Sequence, residues 1–435
     1  MTQDDRREGS RGPDPAVEDA TPAAPAETGP DVPHAPPSEP RPTTSVTRRV
    51  LEDITSSSWL ITVGAVVLAM VVGSVLILMG DTEVQATLGY LFQRPSDFFR
   101  ESWRAISEAY LALFQGAVYD SQAPTPERRI RPLTESLTIA TPLILAGLGL
   151  GLTFRAGLFN IGGQSQIVLG AIVGSYLGFA LELPVGVHVL VVLLGCALGG
   201  AVAGAIPGFL KARFGAHEVI TTIMLNNTSR FFLLWVLGTA AFASATPQVS
   251  PLLESTARLP LLMGPGFRLH LGFVLALAAA FLVWWLMERS VLGFRLRAVG
   301  ANQEAARTAG MSVERSTVVS LALSGLLCGL AGAMLVAGTE WKLTSSVAGT
   351  IGFDAITVAL LGRNRPVGTV LAGLLFGALA AGGRIMASRA GAEAELVTVL
   401  QAVIVLLIAA PPLVRAVFRL PDPAVIRRRR EEVAA

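Results

Sequence analysis

Cysteine is scarce in this chain of 435 residues: only Cys196 and Cys328 occur, both inside apolar stretches. That excludes a disulfide framework and a thiolate metal cage, and leaves both thiols as small core residues. Histidine is equally sparse. His34, His188, His217 and His270 are scattered without ligand spacing, so neither a metal site nor a catalytic constellation can be assembled from them. Lysine occurs only as Lys211 and Lys342, with arginine carrying nearly all of the positive charge, and this skew names no ligand. Charged residues make up 15% and the net charge is +2, too little and too interspersed for a nucleic-acid surface.

What fills the chain instead is apolar residue, at 52% of the sequence and a mean hydropathy of +0.57, beyond what a soluble domain carries. The exception is residues 1–50, dominated by Pro, Ala, Asp, Glu and Thr, which reads as a disordered tail. The chain's start lacks the basic n-region and apolar h-region of a cleaved leader, so the first apolar run is expected to persist as a span. Ten runs approach the roughly 20 residues that a helix needs to cross hydrocarbon: 59–80, 133–154, 160–181, 184–210, 219–243, 269–287, 317–339, 346–362, 366–383 and 396–418. The expected fold is all-α and polytopic, with a transmembrane domain over 51–418 and a basic tail over 419–435.

Arginine placement tests that count. With the N-terminus inside, the inner segments hold Arg48, Arg49, Arg155, Lys211, Arg213, Arg289, Arg295, Arg297, Arg307, Arg315, Arg363, Arg365, Arg415, Arg419 and the run 427–430, while the short outer loops hold only Arg258, Arg268, Lys342, Arg384 and Arg389. Both termini are therefore expected in the cytoplasm. Small residues recur at four-residue spacing, as in Gly195 with Gly199, Gly200 with Gly204, Gly325 with Gly329 and Gly373 with Gly377, which predicts close helix packing. Gly147, Gly149 and Gly151 imitate a nucleotide loop, but no strand precedes them and they lie inside a span, so ATP must be bound elsewhere.

Spans two to five and seven to ten form two blocks of opposite orientation, an inverted repeat in hydropathy. In each block the second span opens on a Gly-punctuated polar segment, Phe159 to Gln166 in one and Gly349 to Asp354 in the other. Matched breaks of this kind point to a substrate path. Asn160, Gln164, Gln166, Asn226, Asn227 and Asp354 are the candidate path residues, because polar groups at membrane depth are costly unless they pair or line a wet cavity. Hydrogen bonding between close-packed helices is the alternative for Asn226, Asn227 and Asp354. Arg230 either pairs with Asp354 or snorkels. Residues 93–119 read as amphipathic segments that cap the pore, meet a receptor, or lie at the interface.

Several strings, spread over most of the membrane region, carry a resemblance. They are Ala140 to Gly147 (ATPLILAG), Arg155 to Gly162 (RAGLFNIG), Glu218 to Asn226 (EVITTIMLN), Gly293 to Gly300 (GFRLRAVG) and Gly352 to Arg363 (GFDAITVALLGR). The chain resembles permease subunits of bacterial ABC importers for nucleosides and simple sugars, the group paired with lipoprotein receptors of the basic membrane protein type. Where that family often has an acidic residue between the glutamines, this chain has Ser165. The resemblance implies a multi-pass protein of the bacterial cell membrane that is no enzyme and holds no cofactor. Its implied partners are an ATP-binding subunit that carries the ATP, a second related permease and an extracellular lipoprotein receptor. It further implies that the loop 288–316 docks the ATPase through Arg295, Arg297, Glu304, Ala305, Ala306 and Gly310, with Gly310 permitting a sharp helix exit. A simple-sugar permease is the nearest alternative, and a branched-chain amino acid permease a more remote one. An ion-coupled secondary transporter would need no docking loop, and an intramembrane enzyme would need a convergent acid, base or metal set that is missing.

Overall fold

The computed structural model of the chain describes residues 58–389 and scattered positions between 398 and 417. The 1–50 tail, most of the 396–418 run and the 419–435 tail lie outside the described residues. Helices α1 (Ser58–Gly80), α2 (Thr82–Leu88) and α3 (Pro95–Ala117) lead into α4 (Pro126–Arg155), α5 (Gly163–Ala180), α6 (Val187–Phe214) and α7 (Glu218–Leu237). After a long irregular loop come α8 (Gly272–Arg289), the short α9 (Val291–Ala301) and α10 (Gln303–Thr308), α11 (Val313–Ala333), α12 (Ile351–Leu361) and α13 (Pro366–Arg389). Among the described residues five helices are long and apolar enough to cross a membrane (α4, α6, α8, α11 and α13), or six if the pair α1–α2, bent by 76° at Asp81, is one broken span.

Each boundary has a local cause. Thr125 caps α4 by accepting from the Arg128 N–H at 3.4 Å, with Pro126 at the first helical position. Ser312 accepts from the Arg315 N–H at 3.2 Å to start α11, and Gly215, at φ +68°, closes α6 in the left-handed conformation that glycine reaches without strain. Helix α4 is the axis of the bundle. Every residue from Ala140 to Thr153 is buried, because α5, α8, α11, α12 and α13 surround it. A helix that is apolar on all sides sits at such a centre or against lipid, and the surrounding helices put α4 at the centre.

Two expectations are revised. The 346–362 run is no full span: its helix, α12, has 11 residues, about 16 Å at 1.5 Å per residue, against a hydrocarbon core of about 30 Å. Residues 341–350 approach it as turns, because Gly349 and the polar Ser345, Ser346 and Thr350 favour irregular backbone. The 93–119 stretch, in turn, is a packed helix. Ala105, Ala109 and Ala112 of α3 are buried, Met386 of α13 shares their cluster, and Gly116 seats directly on Ile385 of α13. Phe99, Trp103 and Phe114 stay exposed on its outer side.

Helices α3 and α13 are also tied at one end. Arg389 donates to Gln115 Oε1 at 2.9 Å and to Asp120 Oδ2 at 2.6 Å, and this hydrogen-bonded guanidinium holds the Asp120 carboxyl below the usual aspartate range. A carboxyl lowered in the folded state adds stability above its unfolded pKa and loses it as the pH falls through the folded value. Arg389 is 39% exposed, so water screens the pair and its contribution is about 1 kcal/mol or less. Asp120→Asn is expected to lower stability by that amount at neutral pH and by nothing below the depressed pKa. Denaturation of both proteins at acidic and neutral pH checks this, and an equal gap at both would refute it.

Candidate functional site

The two polar breaks meet where the bundle is partly open, with Gln164 half-buried, Gly352 buried and Gly349 exposed. The Gln164 side chain, at the start of α5, donates from Nε2 to the Gly349 carbonyl at 2.8 Å and accepts at Oε1 from the Gly352 N–H at 3.0 Å. One amide thus staples the opening of α5 to the opening of α12, and satisfies backbone groups that a broken helix leaves without partners. The backbones are equally close: a Cβ on Gly352 would overlap the Gln164 backbone. Helix α12 lies along α4, with Ala355 and Val358 against Gly147, and Ala359 and Asn364 against Gly151. It therefore spans only the half of the bundle toward the C-terminal end of α4.

The other path candidates divide into two groups. Asn160 is fully buried and builds the turn before α5: its Oδ1 accepts from the Gly162 N–H at 2.8 Å and its Nδ2 donates to Ser324 Oγ at 3.0 Å. Gln166, also fully buried, lies 3.4 Å from the Asn160 amide. Asn226, on α7, holds the same turn by accepting from the Ser165 N–H and donating to the Ile161 carbonyl, both at 3.0 Å. These three amides spend their hydrogen bonds on the fold. Asn227 and Arg230 are exposed on α7, and Asp354 is half-buried and accepts from Thr350 Oγ1 at 2.7 Å. No ion pair joins Arg230 to Asp354 among the described residues. An exposed amide and guanidinium at the middle of an otherwise apolar helix are costly against lipid, which suits this face of α7 to a wet surface or a protein partner.

The 288–316 segment forms α9, α10 and a turn. Asn302 caps α10 by accepting from the Ala305 N–H at 3.0 Å, Ala306 is buried with Val299 and Val313, and Gly310 adopts φ +79°. Glu304 is 84% exposed and paired with Arg307 at 2.9 Å; Ala305, Arg295 and Gly310 are exposed as well. Helix α9 is braced on the end of α4. Glu288 receives Arg155 at 2.7 Å on one oxygen and Arg297 at 2.9 Å on the other, and Gly300 packs against the backbone from Arg155 to Gly157. Three residues after Gly157 the chain reaches Asn160, so the surface pair α9–α10 is linked through rigid contacts to the stapled breaks.

Glu288 and Ser324 escaped the sequence reading. Glu288 looks like one more charge at a helix end, and a serine in a span gives no signal of its partner. The loop 244–271 is likewise more than a connection. It clips onto the C-terminal extension of α11, where residues 334–340 widen into a π turn: Leu259 N–H donates to the Ala337 carbonyl at 2.9 Å and Leu253 N–H to that of Trp341 at 2.8 Å.

Comparison with known proteins places this architecture. Residues 133–409 match the family described as branched-chain amino acid transport system / permease component. The chain is 36% identical over 293 residues to the guanosine ABC transporter permease protein NupP of Bacillus subtilis, covering 65% of this chain and 82% of that one. It is 34% identical over 288 residues to the glucose ABC transporter permease protein TsgB13 of Haloferax volcanii, covering 63% of this chain and 75% of that one. With the nucleoside ABC transporter permease protein NupB of Lactococcus lactis it shares 33% identity over 291 residues, 64% of this chain and 79% of that one. The chain thus belongs to the branched-chain amino acid transport system / permease component family, and is an integral membrane transport component rather than an enzyme.

Proposed function

We propose that the chain is the permease subunit of an ATP-driven importer that carries nucleosides. The observation that carries this reading is the meeting of two broken helices, stapled by Gln164 and braced through α4 by the surface pair α9–α10. Broken helices facing each other supply irregular backbone and polar groups where a solute must pass. The relatives named for guanosine and for nucleosides support the substrate class. A sugar permease is the second reading, favoured by the relative named for glucose.

In this reading the chain crosses the bilayer ten times, with the irregular residues 341–350 and the short α12 together making one crossing, which places both termini, with the 1–50 and 419–435 tails, in the cytoplasm, and the two blocks form an inverted repeat. Helices α9 and α10 dock a separate ATP-binding subunit through the exposed Arg295, Glu304, Ala305 and Gly310, with Ala306 buried beneath them and Arg297 held by Glu288, so the chain needs no cofactor of its own. A second related permease completes the path. A lipoprotein receptor delivers solute outside. Closure of the ATPases moves α9, the Glu288 ion pairs carry that movement to the end of α4, and the stapled breaks shift with it.

The test is uptake of labelled adenosine, guanosine and uridine by cells expressing the whole assembly, with excess ribose as competitor. Uptake is expected to resist ribose and to fall by about tenfold or more with Glu304→Arg, which reverses the charge of the 84% exposed docking residue. Full competition by ribose would make the chain a sugar permease. Uptake that survives ATP depletion with ion gradients intact would remove the importer assignment.

A further inference from the structure

At the opposite end of the bundle from α9 and α10, a basin of about 580 Å³ opens between the end of α3, the start of α4 and the end of α13. Arg131 lies 24 residues before Arg155 on α4, which sets the basin about 36 Å along that helix from the bracing contacts. Guanidinium groups outnumber carboxylates five to two in its lining. Arg128 and Arg131 come from α4, Arg268 from the loop before α8, and Arg384 and Arg389 from α13.

Three of the five arginines remain uncompensated once the nearby carboxylates are counted, including Glu340, which lies outside the lining but 3.8 Å from Arg268. Asp120 gives both oxygens to Arg389, at 2.6 and 3.3 Å. Glu135 reaches Arg268 at 3.4 Å, while its other oxygen is buried without a partner. Arg128, Arg131 and Arg384 have no carboxylate within ion-pairing distance among the described residues. Gly116, Pro132, Ala381 and Ile385 supply an uncharged wall. Arginine is scarce in the short loops at this end of the chain, yet Arg268, Arg384 and Arg389 converge here. A bilayer-orienting role does not explain charge gathered on the side that the positive-inside rule depletes.

We infer that this basin is a binding site for a phosphoryl group attached to a larger uncharged body. Three open guanidinium forks, each with paired N–H donors, match an anion with several acceptor oxygens better than a single-point ion. The volume is that of a small-molecule pocket, about 300–1,000 Å³, so a bare ion would leave most of it empty. The headgroup of an anionic phospholipid and a soluble phosphate ester share this chemistry.

Thermal unfolding of the full chain in detergent, titrated separately with dihexanoyl phosphatidylglycerol, dihexanoyl phosphatidylcholine, adenosine monophosphate and inorganic phosphate, distinguishes the sources. Saturable stabilisation is expected from phosphatidylglycerol but not phosphatidylcholine if the source is lipid, and from adenosine monophosphate if it is a soluble ester. Affinity should fall by about tenfold or more in Arg131→Gln/Arg384→Gln. Arg128→Gln, at an exposed position in the first turn of α4, should weaken binding without disturbing the fold, while Arg213→Gln, outside the basin, should leave it unchanged. The proposal is overturned if no probe saturates, or if the basin variants bind as the wild type does. It is overturned equally if affinity appears only in Glu393→Gln/Glu395→Gln, which would mean that the chain's own acids fill the basin.

Discussion

Gly200→Leu is expected to destabilise the folded protein severely. Gly200 on α6 and Gly325 on α11 face each other so closely that a Cβ on either would overlap the other's carbonyl oxygen. The same holds one turn on in each direction, for Gly204 against the Leu321 carbonyl and Gly329 against that of Cys196. The two backbones therefore touch along the middle of both helices, and a leucine must push them apart along that whole seam. Overpacking in a core costs about 1–3 kcal/mol where side chains can yield. Here the opposing atoms are backbone, so a loss of about 3 kcal/mol or more is expected, a large share of the roughly 5–15 kcal/mol that a native fold holds. The fraction eluting as a monodisperse species from mild detergent, and its resistance to a stronger one, measure this. Leu198→Phe, at a position 62% exposed on the outer side of α6, should be close to neutral. A Gly200→Leu protein as robust as the wild type would mean that α6 and α11 are not in backbone contact.

The second large effect is expected at Gln164 and concerns transport more than folding. Gln164→Leu removes a donor from the exposed Gly349 carbonyl, which water can replace, and an acceptor from the buried Gly352 N–H, whose loss costs about 1–3 kcal/mol. If the stapled breaks are the moving part of the path, uptake per folded molecule should drop by about tenfold or more, since a shift of about 1.4 kcal/mol in the working equilibrium already gives that factor. Gln164→Glu is the informative companion. A carboxylate can still accept from Gly352 but cannot donate to Gly349, so it should fall between wild type and leucine. Normalising to folded protein separates the two roles. Wild-type uptake in Gln164→Leu would place the path elsewhere in the bundle.

Much of the architecture is legible in the sequence because hydropathy, helix caps and glycine breaks act locally along the chain. The positions of α4, α6, α8, α11 and α13, and the breaks before α5 and α12, follow from runs of residues that each contribute independently to burial or to turn geometry. The small-residue stripes were visible as well, and all of them are used in packing. Their partners were not. Gly195 and Gly199 face α5, Gly200 and Gly204 face α11, and Gly373 and Gly377 face α4, yet the spacing is the same in each case. The cluster Gly147, Gly149 and Gly151 lies inside α4 and serves α12, α11 and the α12–α13 turn in succession.

The polar residues show the same division. Sequence alone determined that amides stand at membrane depth, because an amide cannot be left unpaired there, and that the two breaks occupy matching places in two halves of the chain. Only the tertiary structure decided which amides are free. Asn160, Gln166 and Asn226 are consumed by one turn, and Gln164 spans residues 185 and 188 positions away. The Arg155, Glu288 and Arg297 contacts and the arginine basin likewise join segments far apart in the chain. Burial is fixed by what a residue is; pairing is fixed by what the rest of the chain brings within about 3 Å of it.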